Sequence, residues 1–242
     1  MLVLLNIVNN NLIFGDFNLG NLGKVEKVMR PALPPIEIES KNIIGKDGEV
    51  YKGKIYGSIE IEVYVRLFSF SNIDKVINEF VSYLDSRDLK SLNYRGKRTW
   101  YDATLIDCEL VEKYRQNYSL LKLVFFVPSG LARGQFMREE YKNFTEKKIS
   151  LSGNCPIKPI FLFKGSSVKI INSRTGEFIS IEEGSTQDFI IDHEKSYVYQ
   201  DDINLMKRLE WNSDFFEIKD GDIIKSDKQI SLKFYDRYLY DV

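Results

Sequence analysis

One stretch of this sequence reads as helix, and almost everything else reads as strand. From Ile73 to Asp85, the residues Ile73, Val76, Ile77, Phe80, Val81 and Leu84 recur at intervals of three and four, with Asp74, Lys75, Asn78, Glu79, Ser82 and Asp85 between them. That spacing predicts a helix over about 72–86 with one apolar face that must lie on something. Ser71 is placed to cap its first turn, and Asp74 completes a capping-box-like arrangement with its charge near the positive helix end. The simplest arrangement is a sheet covered by this helix, followed by more sheet.

Length and charge narrow the class further. A chain of 242 residues can bury one large core or two ordinary ones, and the strand pattern favours two small β domains. Lys and Arg number 34 against 35 Asp and Glu, a balance that suggests neither a sequence-specific nucleic-acid binder nor a membrane-surface protein. Cys108 and Cys155 lack metal-ligand spacing and are expected to be buried thiols. The opening Met1-Leu2-Val3-Leu4-Leu5 has no cationic flank and ends at Asn6, too short for a signal peptide or an inserted span. The expected site of synthesis is the cytoplasm.

In chain order, residues 1–30 carry short apolar pieces broken at Gly15, Gly20 and Gly23, and Pro34-Pro35 then interrupts regular pairing, because proline has no ladder donor. Past Ile36 and Ile38, Gly45-Lys46-Asp47-Gly48 is a turn signal. Ile59, Ile61, Val63, Val65 and Leu67 alternate with Glu60, Glu62, Tyr64, Arg66 and Phe68, the clearest strand. A hairpin is expected from Leu89–Tyr94 and Thr99–Leu110 around Arg95-Gly96-Lys97, followed by a strand apolar on both faces from Tyr118 to Val127. The polar run Arg138-Glu139-Glu140-Tyr141-Lys142-Asn143 marks a boundary between domains 1–140 and 141–242. Beyond it, strands are expected at 156–163, 168–172, 178–181, 189–192, 197–200, 215–218 and 230–235, a spacing typical of a β-sandwich. The fold class is therefore mainly β, with an α+β first domain and a sandwich second domain.

The motifs of chemistry are missing. The sequence has no phosphate-cradling glycine loop, nucleophile elbow, His-Glu-x-x-His or cysteine quartet, so no catalytic residue, metal site or cofactor is assigned. The single histidine, His193, lies among Asp192, Glu194, Asp201 and Asp202, but the run reads as a polar turn rather than a cation site or a catalytic base. Glu60 and Glu62 are the carboxylates that strand alternation produces, not a glycosidase pair. Arg95, Lys97 and Arg98 make a solvated basic tip. Trp211, Tyr197 and Tyr199 are candidates for a sugar-stacking surface, with ordinary packing as the other reading.

The order of features resembles the distal tail proteins of siphophages and prophages that infect Gram-positive bacteria. In the first domain the resemblance rests on Ile43-Ile44-Gly45-Lys46-Asp47-Gly48, the strand Ile59 to Val65, the helix, Arg98-Thr99-Trp100, and Leu121 to Phe126 before Pro128. In the second it rests on Pro156 to Phe161, Phe189 to Glu194, Tyr197-Val198-Tyr199 and Phe215 to Asp222. The resemblance implies a structural subunit without catalytic residues. It implies a ring of identical subunits, usually six, at the end of the tail tube, with a galectin-like β-sandwich as second domain. The implied partners are the tail tube protein on one ring face and the tail-associated tip protein on the other, and the implied location is the virion tail tip. Host-wall carbohydrate is the partner under the alternative reading, a carbohydrate-binding module acting through the second domain. Ring contacts are expected at Glu60, Glu62 and Arg66, at the Pro34-Pro35 segment and at the doubly apolar strand.

Overall fold

The computed structural model describes residues 11–42, 47–69, 72–114, 117–182, 188–200 and 203–240. They are mostly antiparallel strand with one α-helix among them. Two compact units divide the chain, residues 1–133 with 239–242, and residues 134–238. Among the described residues no helix is long and apolar enough to cross a membrane.

The first unit contains β1 (Leu12–Phe14), β2 (Phe17–Asn18), β3 (Gly23–Met29), β4 (Ile36–Asn42), β5 (Glu49–Tyr56), β6 (Ile59–Phe68), α1 (Ile73–Leu84), β7 (Lys90–Tyr94), β8 (Thr99–Tyr114) and β9 (Tyr118–Val127), and β10 (Ala132–Gly134) lies where the units divide. Its main strand order is β2-β1-β7-β8-β9-β6-β3. The alternation read in β6 is realised: Ile59, Ile61, Val63, Val65 and Leu67 are at most 5% exposed. β6 lies between β3 and β9, in unbroken register with β9 from Ile59 opposite Val127 to Phe68 opposite Tyr118. The β7–β8 turn has Arg95 and Gly96 at φ 55° and 62°, the left-handed geometry that suits the twist of a tight hairpin.

Helix α1 buries Ile73, Phe80 and Leu84, with Val76, Ile77 and Val81 half-buried beside them. Phe80 meets Phe17 edge-on at 5.5 Å, and Phe17 in turn stacks on Tyr83. The expected cap Ser71 lies outside the described residues. Asn72 is the cap: its side-chain oxygen accepts from the Asp74 and Lys75 N–H groups at 3.0 and 3.3 Å. Strand β9 settles which of its two apolar faces is core. Ser119, Leu121, Leu123, Phe125 and Val127 are buried, whereas Leu120, Lys122 and Phe126 on the opposite face are half-exposed.

β4 and β5 form a separate two-stranded sheet, an arm turned at Asp47-Gly48 with Gly48 at φ 77°. Every residue of β4 is exposed. At the arm's base the Gly57 N–H donates to Pro35 O at 2.8 Å. Gly130, at φ 63°, packs so close that a Cβ there would sit 2.0 Å from Gly57 O and 3.0 Å from the ring of the buried Pro34.

The second unit holds β11 (Arg138–Lys148), β12 (Ile160–Lys164), β13 (Val168–Asn172), β14 (Phe178–Ile181), β15 (Asp188–Asp192), β16 (Tyr197–Gln200), β17 (Ile203–Asn204), β18 (Ile223–Phe234) and β19 (Arg237–Tyr238). Strand order is β14-β13-β18-β12-β15-β16-β17, with β11 also paired to β18. Its core is aromatic and β-branched: Phe161, Phe163, Phe189, Ile191, Phe216 and Ile218 are all buried, and Phe163 stacks on its cross-strand partner Phe189 at 4.8 Å. Two readings of the sequence are corrected here. Residues 215–218 are not a strand: Phe216 and Ile218 alternate inward, but the backbone makes a single bridge, Ile157 with Ile218. The polar run at 138–143 belongs to the eleven-residue β11, which turns Tyr141 and the half-buried Phe144 toward the core.

Candidate assembly surfaces

Glu60, Glu62 and Arg66 point away from the core on one face of β6, where register sets them beside Phe126, Val124 and Leu120 of β9. The structure thus brings the charged residues and the second apolar face of β9 together. Arg66 Nε is 2.9 Å from Glu26 Oε1, Lys122 Nζ is 3.0 Å from Glu62 Oε1, and the Arg66 guanidinium lies over the Tyr118 ring. Hydrogen bonding to Glu62 lifts the Lys122 ammonium above its ordinary range. These pairs are solvent-screened and contribute little to folding, so their fixed pattern of charge matters more for what they meet than for stability. Pro34 and Pro35 are elsewhere on the unit, at the base of the arm.

Sequence reasoning missed two further surfaces. Beyond Ala103, where pairing with β7 stops, β8 runs on along β9 to Tyr114 with Ile106, Leu110, Val111 and Tyr114 exposed. The register skips Ile106 and Val111, each an extra residue in a β-bulge. The signal was in the sequence as the doublets Leu105-Ile106 and Leu110-Val111, which break alternation and put apolar side chains on both faces. An open groove of about 520 Å³ runs between this part of β8 and α1, lined by Asn78, Val81, Ser82 and Asp85 on the helix side and by Leu105, Ile106 and Asp107 of β8. Cys108 lines it as a free, half-buried thiol, whereas Cys155 is buried, so only one cysteine matches the expectation of full burial. The second missed surface is the arm, which exposes Ile36, Ile38, Tyr51 and Ile55.

The second unit's candidate residues are not brought onto one surface. Tyr197 and Tyr199 are neighbours on β16, 5.9 Å apart and half-buried. Trp211, 96% exposed, is in a turn of the segment that runs beside β14, at the other end of the strand order. His193 departs from the exposed polar turn expected for it. The turn exists, with Asp192 Oδ1 accepting from the Glu194 and Lys195 N–H groups, but His193 itself is 2% exposed. Phe161, Phe215 and Phe216 surround its ring, and Nδ1 lies 3.0 Å from the Phe216 backbone, leaving Nε2 buried without a partner. Burial drives its pKa down to about 4, so the ring is neutral at pH 7. Asp201 and Asp202 lie outside the described residues. Among the described residues no group of three or more potential ligands is placed to hold a metal ion.

Geometry therefore defines a two-unit, mainly β protein whose first unit exposes apolar side chains on β8 and on the arm. Residues 152–238 match the family model of the siphovirus-type tail component, C-terminal domain. Over nearly the whole chain the fold is that of a solved hub protein of phage SPP1, "Crystal Structure of SPP1 Dit (gp 19.1) Protein, a Paradigm of Hub Adsorption Apparatus in Gram-positive Infecting Phages" (TM-score 0.71, 14% identity, 94% of this chain and 98% of that one). A chain of the phage P2 baseplate in its activated conformation with Ca is also similar (TM-score 0.51, 11% identity, 95% and 98% covered). No curated protein sequence matches the chain. The resemblance to distal tail proteins read from the sequence is thereby borne out by the family match in the C-terminal domain and by the fold of the whole.

Proposed function

We propose that this chain is a structural subunit of a phage tail tip, closing into a ring that joins the tail tube to the receptor-binding apparatus. The supporting observation is the stretch of β8 past Ala103, where pairing with β7 stops and Ile106, Leu110, Val111 and Tyr114 are exposed, while β3, paired with β6, ends the strand order on the far side of β9 and β6. An unpaired apolar edge is a template for another chain. Because the two edges differ, β8 of one copy fits β3 of the next, and such a head-to-tail contact repeats until the ring closes. The charged face of β6 and β9 lies between those edges and would follow the sheet around the ring. Its mechanism is assembly, a rigid hub with separate faces for the tube and the tip, located in the virion.

Electron microscopy of the purified chain tests this. The proposal expects closed rings, and Leu110→Lys should disperse them while far-ultraviolet circular dichroism stays unchanged. Rings that survive Leu110→Lys with unaltered dimensions would remove β8 as the joining edge.

A further inference from the structure

The second unit has an open pocket of about 710 Å³ at the β14–β13 end of its strand order. Donors and acceptors are mixed around it: Lys169, Lys207 and Arg208 supply cations, Glu182 and Asp227 carboxylates, and Ser167 and Ser180 hydroxyls. Its walls are held in place. Lys169 N–H donates to Asp227 Oδ1 at 2.8 Å, the Lys169 ammonium lies over the Phe178 ring at 4.3 Å, and Glu182 N–H donates to Arg208 O. Two residues beyond Leu209 of the pocket wall comes Trp211, in a turn closed by Ser213 N–H on Glu210 O. That turn is tied to the pocket through Ser180: Glu210 N–H and the Ser213 hydroxyl donate to its carbonyl, and its own N–H donates to Ser213 Oγ. A fixed turn thus presents an indole that is 96% exposed, although tryptophan in folded chains is on average largely covered.

We infer that this pocket is a saccharide-binding site, with one sugar ring stacked on Trp211 and the hydroxyls of the glycan bonded to Glu182, Asp227 and Arg208. Each sugar hydroxyl both donates and accepts, so it needs the mixture of carboxylates, cations and hydroxyls found here. A phosphate polymer calls for cations alone, and Glu182 and Asp227 would repel it. A protein partner calls for an apolar centre inside a polar rim. Here the order is reversed, with a polar concavity beside one flat apolar plate, and a rigid indole supplies that plate at little cost in conformational entropy. The site needs neither Tyr197 nor Tyr199, which lie toward the other end of the strand order. It stands whether or not the first unit closes a ring, and gives the second unit a role of its own.

The site holds its own reporter. In the full chain carrying Trp100→Phe, Trp211 is the sole tryptophan. Titration with neutral oligosaccharides of glucose, galactose and N-acetylglucosamine should give, for at least one of them, a saturable blue shift of its emission, because a stacked ring removes water from the indole. The wild-type chain should bind an immobilised form of the same sugar. Trp211→Ala should weaken that affinity about tenfold or more with an unchanged melting temperature, and Glu182→Gln combined with Arg208→Gln should weaken it similarly. Neither a shift nor binding with any of the three sugars would overturn the proposal. Affinity indifferent to Trp211→Ala would place the sugar elsewhere, and affinity indifferent to the double variant would remove the pocket from the site; either result overturns it. Displacement of the bound chain by inorganic polyphosphate would reveal an ionic surface and overturn it as well.

Discussion

The two units are both antiparallel β structures, yet they treat their edges in opposite ways. In the second unit the edge strand β14 is covered by the chain itself: Glu182 N–H donates to Arg208 O, Glu210 N–H to Ser180 O and Asp214 N–H to Phe178 O. Asp222, 2% exposed, receives Arg174, the Asn172 amide and the Lys219 N–H. Burial pushes its carboxyl up, but those hydrogen bonds outweigh it and hold the group below the usual carboxylate range. The first unit does the reverse, leaving apolar side chains exposed on β8 and on a hairpin with no third strand among the described residues. In the proposed reading the covered edge β14 needs no partner, whereas the bare apolar surfaces of the first unit are completed by neighbouring copies.

That contrast can be broken by experiment. The largest effect is expected from Phe80→Ala, which removes the anchor of α1 on the first sheet and should cost about 3–5 kcal/mol. Chemical denaturation followed by amide hydrogen exchange, resolved on peptides of the first and of the second unit, should show the first transition moving alone. If both move equally, the units do not unfold separately.

Acid should find the second unit. His193 titrates at about 4 when folded against an ordinary 6.5, so from pH 6.5 down to 4 the unfolded chain binds a proton that the native state refuses. Its contribution is full above pH 6.5 and is lost as pH falls to 4, about 3 kcal/mol in all. Below that, protonation of Asp222 removes more, because its folded pKa is depressed. Thermal melts across this range should show the slope, and His193→Phe, set among Phe161, Phe215 and Phe216, should flatten it. An unchanged slope would assign the acid sensitivity elsewhere.

Asn72→Ala should cost about 1 kcal/mol by removing the cap of α1, whereas Asn72→Ser, which keeps a side-chain acceptor at the same position, should retain most of that stability in the same denaturation experiment. The smallest effect on folding belongs to the outer face of β6. Glu60→Lys with Arg66→Glu should leave the melting temperature nearly unchanged but weaken assembly about tenfold at low salt, read by sedimentation. Assembly indifferent to that reversal would clear this face of any role in the joint.

Much of this architecture was legible where side-chain period and burial coincide. α1 and β6 follow directly from spacings of three to four and of two, because each has one dry face. Residues 215–218 show the limit: Phe216 and Ile218 alternate inward as a strand would, but alternation reports burial and not a ladder. β11 failed in the opposite sense, since its hydrogen bonds to β18 are made by backbone while its side chains are mostly polar and exposed. The surfaces were harder still. Ile36 and Ile38 received no assignment because composition cannot distinguish an apolar residue covered by its own chain from one left exposed, and His193 read as part of a polar turn because its neighbours are charged. The charged face of β6 was readable as a face, but not its placement beside Leu120, Val124 and Phe126, which needs the register with β9.

The central claim is that the first unit is completed by copies of itself. Light scattering coupled to size separation, over a wide concentration series of the purified wild-type chain, tests it most directly. The account predicts one closed oligomer of fixed mass, giving way to monomer only on dilution, with no open-ended growth. A strict monomer throughout, or a mass that rises without limit, would contradict it.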